Sequence, residues 1–121
     1  MTAKRILFAE DQISTREALT KLATMRGYEV VAVTNGVDLL AVAKDQQFDL
    51  VITDLVMPDM NGATATEIMK LQGSTTPVIA LTGLSHQDIH LVQTEFTKIF
   101  HKPINVDKLF EYIESLLGKK V

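Results

Sequence analysis

Short apolar runs recur along the chain, each broken off by polar residues and separated from the next by an amphipathic stretch. Ile6-Leu7-Phe8-Ala9 is continuously apolar and stops at Glu10. Such a run, without strict alternation, reads as a strand buried on both faces, as in a parallel sheet. Further strands are predicted over 29–33, 49–53, 77–81 and 98–101, with Pro77 acceptable at the first position of its strand. Helices are predicted between them. The first covers 14–25 with Ala18, Leu19 and Leu22 on one face, and Gly27 offers a left-handed cap past its last turn. A short helix after Asn35-Gly36 carries Leu39, Leu40 and Ala43, and a third runs through Ile68 and Leu71 behind a loop punctuated by Pro58 and Gly62. Ser85-His86-Gln87-Asp88 has the form of a capping box with Asp for the usual Glu, opening the least regular helix, over 86–95. In the last helix, capped by Asn105, the residues Val106, Leu109, Phe110, Ile113, Leu116 and Leu117 form the cleanest stripe in the chain.

Five alternations of strand and helix imply an α/β domain, doubly wound as (βα)5, with a five-stranded parallel sheet and helices on both faces. Ligands of such sheets bind beyond the carboxyl ends of the strands. That rim gathers Glu10 and Asp11 after the first strand, Asp54 after the third, Thr82-Gly83 after the fourth and Lys102-Pro103 after the fifth.

Composition narrows the function classes. The 121 residues, 46% of them hydrophobic, suffice for one domain over 1–121, and the absence of Cys excludes disulfides and thiolate chemistry. A net charge of −3 offers no basic field for direct nucleic-acid binding. No apolar run approaches the roughly 18 residues of a membrane span, and the stretch after Lys4-Arg5 is too short for a signal peptide. The chain reads as cytoplasmic and as complete or nearly so.

The rim carries the chemistry. Two unit charges about 4 Å apart repel by about 1 kcal/mol in water and about 4 at an effective dielectric of 20. Gathered there, Glu10, Asp11 and Asp54 either raise a carboxyl pKa or recruit a cation, and all-oxygen ligands select a hard ion, Mg2+, with Mn2+ as a substitute. The same set suits phosphoryl transfer. Asp54 can serve as the nucleophile, Lys102 and the metal can hold the phosphoryl oxygens, Thr82 supplies a hydroxyl and Gly83 a closely approaching backbone N–H. Singly, each residue is an ordinary cap or turn residue; their convergence at four strand ends carries the reading.

From about Lys4 to Leu117 the chain resembles a response-regulator receiver domain of two-component signalling. The resemblance rests on Glu10-Asp11, Asp54 with Met57-Pro58 and Gly62 behind it, Thr82-Gly83 and Lys102-Pro103, in that order. It implies a flavodoxin-like strand order, 2-1-3-4-5. It also implies that Asp54 accepts phosphate from a histidine kinase or histidine phosphotransfer protein and that the change switches binding of a downstream partner. The Mg2+ ligands would be Asp11, Asp54 and the Val56 backbone carbonyl, with Glu10 acting mostly through a bound water. Lys102 would contact the phosphoryl group, Thr82 would swing toward it, and Lys102-Pro103 would be a cis peptide.

Three departures stand out. Ile99 occupies the switch position where the family often has an aromatic residue. Glu95-Phe96-Thr97-Lys98 replaces the usual Gly-Ala turn, after a helix that reads as slightly short. Val56 and Leu84, two positions past Asp54 and Thr82, are apolar where other members orient a water, so slow dephosphorylation is expected.

Other features have plainer readings. His86 and His90 share one helix turn but lack a third ligand, so a solvated face is expected. His101 reads as a strand-edge residue, Met57, Met60 and Met69 as filling, and Leu91 as an exposed residue that could belong to a partner surface. The rival functions are a small Mg2+-dependent phosphohydrolase, which needs a second acid where Val56 stands, and a flavodoxin-like nucleotide binder, whose phosphate loop Glu10-Asp11-Gln12 opposes electrostatically. A monomer or weak dimer is expected, either stand-alone or part of a hybrid histidine kinase or larger regulator.

Overall fold

The computed structural model describes residues 3–84 and 96–118. Its elements are β1 (Arg5–Ala9), α1 (Ile13–Met25), β2 (Glu29–Val33), α2 (Gly36–Asp45), β3 (Leu50–Asp54), α3 (Gly62–Leu71), β4 (Val78–Thr82), β5 (Lys98–His101) and α4 (Val106–Leu117). The five strands are all parallel, in the order β2-β1-β3-β4-β5. The expected helix over 86–95, with its capping box, His86, His90 and Leu91, lies outside the described residues.

Period two is present in the strands although their sequences hide it. Ile6, Phe8, Leu50, Ile52, Ile79 and Leu81 pack on one side with Leu19 and Ala23 of α1 and Leu109, Phe110 and Ile113 of α4. Leu7, Ala9, Val33, Val51 and Val78 pack on the other with Leu39 of α2 and Ala65 and Met69 of α3. Successive side chains point to opposite faces, and both faces are covered, so the central strands read as continuous apolar runs up to their polar ends. β3 and β4 are buried along their whole length, whereas the edge strands β2 and β5 are largely half-exposed.

Two strands shift along the chain by one residue, and both shifts matter for the rim. The third strand is Leu50–Asp54 and not 49–53: Asp49 lies just before it, its N–H donating to Arg5 O at 2.8 Å and its carboxylate, in place of its carbonyl, accepting the Arg5 N–H at 2.8 Å. The fourth is Val78–Thr82 and not 77–81, because Pro77 has no N–H to give and contributes only its carbonyl, to Val51 N–H at 3.0 Å. Asp54 and Thr82 are thus in-register strand residues, paired with Leu81 and His101. The stripe of α4 needs one correction as well. Leu116 is 36% exposed, since it falls at the margin of the apolar arc in the last turn, while Leu109, Phe110 and Ile113 are buried.

Asparagine starts three of the four described helices. Asn35, Asn61 and Asn105 accept the backbone N–H groups of Asp38, Thr64 and Lys108 at 2.8, 2.8 and 3.1 Å. Gly27, at φ 91, ends α1 in the left-handed conformation. Gly62 has a different task. A Cβ there would lie 2.1 Å from Asp54 O and 2.6 Å from Thr53 Oγ1, so only glycine lets α3 start against the end of β3. Gly62→Ala is expected to destabilise the protein by about 2 kcal/mol or more through overpacking, against about 1 kcal/mol for loss of the cap in Asn105→Ala. Urea denaturation monitored by circular dichroism checks the order of the two.

Candidate functional site

The carboxyl ends of β1, β3, β4 and β5 bring together residues far apart in sequence. Glu10 continues β1 by one residue, its N–H donating to Val33 O at 3.0 Å, and is fully buried. Asp54, at the end of β3, is 5% exposed, whereas Asp11 is exposed. Carboxylate oxygens of Glu10, Asp11 and Asp54 lie within 4.8 Å of one another.

One ammonium bridges two of these carboxylates. Lys102 Nζ donates to Asp54 Oδ2 at 2.6 Å and to Glu10 Oε1 at 3.2 Å. The remaining oxygens are partly served by backbone: Glu10 Oε2 accepts from Gln12 N–H at 3.2 Å and Asp54 Oδ1 from Val56 N–H at 3.2 Å. Burial pushes the Glu10 carboxyl above its usual range, and the negative charge of Asp54 adds to the rise; the Gln12 N–H and Lys102 oppose it. Burial alone would lower Lys102, but its hydrogen bond to Asp54 and the charges of both carboxylates outweigh that and raise it. Three carboxylates facing one ammonium leave an excess of negative charge at the rim. The donor set is entirely oxygen, and the spacing fits a hard divalent cation.

The other predicted residues surround this cluster. Thr82 is fully buried, its hydroxyl accepting from Leu84 N–H at 3.0 Å, and its carbonyl accepts the Lys102 N–H at 2.7 Å. Gly83 is exposed, and a Cβ there would meet nothing within 4 Å among the described residues, none of which demands glycine. The Lys102–Pro103 bond is cis. Val56 stands 65% exposed beside Asp54, and Leu84 is half-buried. Ile99 is half-buried on β5, and its neighbour Phe100 meets the Tyr112 ring edge-on at 6.0 Å, engaged with α4.

Two site features were not anticipated from the sequence. Arg16 Nη1 donates to the carbonyls of Glu10 and Asp11 at 3.0 and 3.2 Å, clamping the acidic turn from the start of α1. A readable signal existed, because a basic residue near a helix N-terminus runs against the dipole. The second is Gly36, whose N–H donates to Met60 O at 2.9 Å and whose Cβ, if present, would lie 2.1 Å from that oxygen. With Gly62 N–H donating to Leu55 O at 3.1 Å, the loop beyond Asp54 is tied down at both ends.

Comparison with known proteins agrees with this geometry. The family model described as the response regulator receiver domain matches residues 6–114. Transcription factor SKN7 of Candida albicans is 32% identical over 115 residues, 93% of this chain, which spans only 20% of that protein's length. Chemotaxis protein CheY of Bacillus subtilis is 30% identical over 119 residues, 96% of this chain and 99% of that protein. Among solved structures, response regulator protein TrrA of Thermotoga maritima, in complex with Mg(2+)-BeF, superposes with a TM-score of 0.85 at 31% identity, covering 94% of this chain and 99% of that one. Match, strand order and acidic rim agree, and the chain belongs to the response regulator receiver domain family.

Proposed function

We propose that Asp54 is the phosphoacceptor and takes its phosphoryl group from a phosphohistidine on a histidine kinase or a histidine phosphotransfer protein. The observation that carries this is Lys102 Nζ bridging Asp54 Oδ2 at 2.6 Å and Glu10 Oε1 at 3.2 Å within a set of three converging carboxylates. Residues 1–121 would act as one receiver domain, a cytoplasmic module that is monomeric or weakly dimeric and changes its affinity for a downstream protein when phosphorylated. Turnover of external substrates and direct binding of nucleic acid form no part of the reading. Among the described residues no helix is long and apolar enough to cross a membrane.

In the transfer step a carboxylate oxygen of Asp54 forms a bond to phosphorus while the bond from phosphorus to the donor's imidazole nitrogen breaks. That nitrogen leaves with the electron pair and takes up a proton. Asp54 needs no general base, being a carboxylate nucleophile. Lys102 already contacts Asp54 Oδ2 and is placed to follow the phosphoryl oxygens as a point charge. The Val56 N–H on Oδ1 fixes the carboxylate plane. Mg2+ would be held by Asp11, Asp54 and the Val56 carbonyl, with Glu10 behind them, and when bound supplies the positive charge that phosphoryl oxygens require. The phosphohydrolase alternative lacks support: Val56 occupies the position where its second acid belongs, and the chain belongs to the receiver family.

Three outcomes are expected. Asp54→Ala takes up no label from acetyl phosphate in Mg2+, where the unaltered chain does; label retained by the variant sinks the assignment. In metal-free buffer Asp11→Asn unfolds at a higher temperature than the unaltered chain, because one repulsive charge is gone. Added Mg2+ then stabilises only the unaltered chain, by an amount that grows with its concentration; differential scanning calorimetry separates the two effects. Finally, Val56→Asn shortens the acyl-phosphate lifetime several-fold, since an amide can orient a water that valine cannot. Phosphate release from the isolated phosphorylated chain measures this, and equal lifetimes would remove Val56 from the account.

A further inference from the structure

Leu84, just past β4, is held by both of its backbone polar groups. Its N–H donates to Thr82 Oγ1 at 3.0 Å, and its carbonyl lies 3.1 Å from His101 Nδ1. Thr82 and His101 are register partners across β4 and β5. Paired residues of neighbouring strands direct their side chains to the same face, so the two hold Leu84 from adjacent positions. A carbonyl oxygen only accepts, so the nitrogen facing it, Nδ1, carries the proton. Lys102, the next residue after His101, is tied in as well through its N–H on Thr82 O at 2.7 Å.

This small network restrains the Thr82 hydroxyl at the rim. Thr82 is fully buried, and among the described residues its Oγ1 is bonded to Leu84 and not to Asp54 or Lys102. The bond to Leu84 leaves the O–H itself free to donate, but movement of Thr82 toward a phosphoryl group on Asp54 strains the contact with the Leu84 N–H. Leu84 cannot follow it while His101 grips the carbonyl of the same residue.

We propose that His101 is a positioning residue for Thr82, latching its hydroxyl onto the Leu84 backbone and so weakening the site's hold on a phosphoryl group. The proposal rests on the reading of Asp54 as phosphoacceptor. A histidine that merely satisfies a loop carbonyl would stabilise the fold without any energetic link to Thr82. The link is what distinguishes the two.

Beryllofluoride binding in Mg2+, measured by calorimetry on the full chain, tests it. His101→Ala is expected to bind about fivefold tighter, the factor that one ordinary net hydrogen bond carries. His101→Asn, whose amide N–H stands where Nδ1–H does, keeps the unaltered affinity. In a Thr82→Ala background the His101→Ala change has no effect. An unchanged or weaker affinity in His101→Ala overturns the latch, and so does a gain that survives in Thr82→Ala. If the unaltered chain fails to bind beryllofluoride at all, the Asp54 reading falls and the latch with it. Nitrogen-15 spectra of the unsubstituted chain give an independent check that needs no variant: His101 protonated on Nδ1 is expected, and a ring protonated only on Nε2 overturns the proposal.

Discussion

Crowded negative charge beside a single lysine is the constraint on which the rest of this domain depends. At an effective dielectric of 20 a pair of like charges about 4 Å apart repels by about 4 kcal/mol, a large share of the stability of a small domain. Lys102 meets part of this by touching both buried carboxylates, Glu10 and Asp54. A fully buried glutamate is tolerated in proteins only when paired, and Glu10 is paired. The pairing is incomplete, because burial and Asp54 together still raise the Glu10 carboxyl. Stability forgone at such a rim is the usual companion of a binding site for cations.

The scaffold spends its most restrictive contacts on the segment next to Asp54. Gly62 lets α3 begin against the Asp54 carbonyl, Gly36 lets α2 begin against Met60, and Asp59 adopts a positive φ of 68 between them. Met57 turns back into the core from the same loop, which leaves Val56 exposed at the site. Arg16 performs the matching task on the Glu10-Asp11 turn. Both segments that carry acidic groups are therefore held from rigid helices, the kind of support that keeps converging side chains in a fixed geometry.

The β4 and β5 ends are tied differently. Their contacts pass through exchangeable hydrogen bonds, Leu84 to Thr82 and His101 to Leu84, and among the described residues no atom crowds Gly83. A side of the site held by exchangeable hydrogen bonds can rearrange at modest cost, whereas a side held by glycine close-packing cannot. Rigid support thus falls on the carboxylates, and adaptable support on Thr82.

Much of this was legible along the chain. Continuous apolar runs announced buried parallel strands, Asn35 and Asn105 announced helix starts, and the carboxylates stood where such runs break off, all of which are local properties of sequence. The one-residue shifts that place Asp54 and Thr82 inside their strands were not legible, because they depend on which neighbour supplies the ladder: Arg5 captures Asp49, and Pro77 offers Val51 only a carbonyl. Nor was the exposure of Leu116, which the margin of a stripe decides. The sequence by itself determined the kinds of groups available at the rim, since side-chain chemistry and periodicity are written residue by residue. Only the tertiary structure decided which oxygens Lys102 bridges, that Arg16 clamps the acidic turn, and that His101 meets Leu84. Those are distances between segments up to 92 positions apart, set by strand order and packing and not by any local pattern.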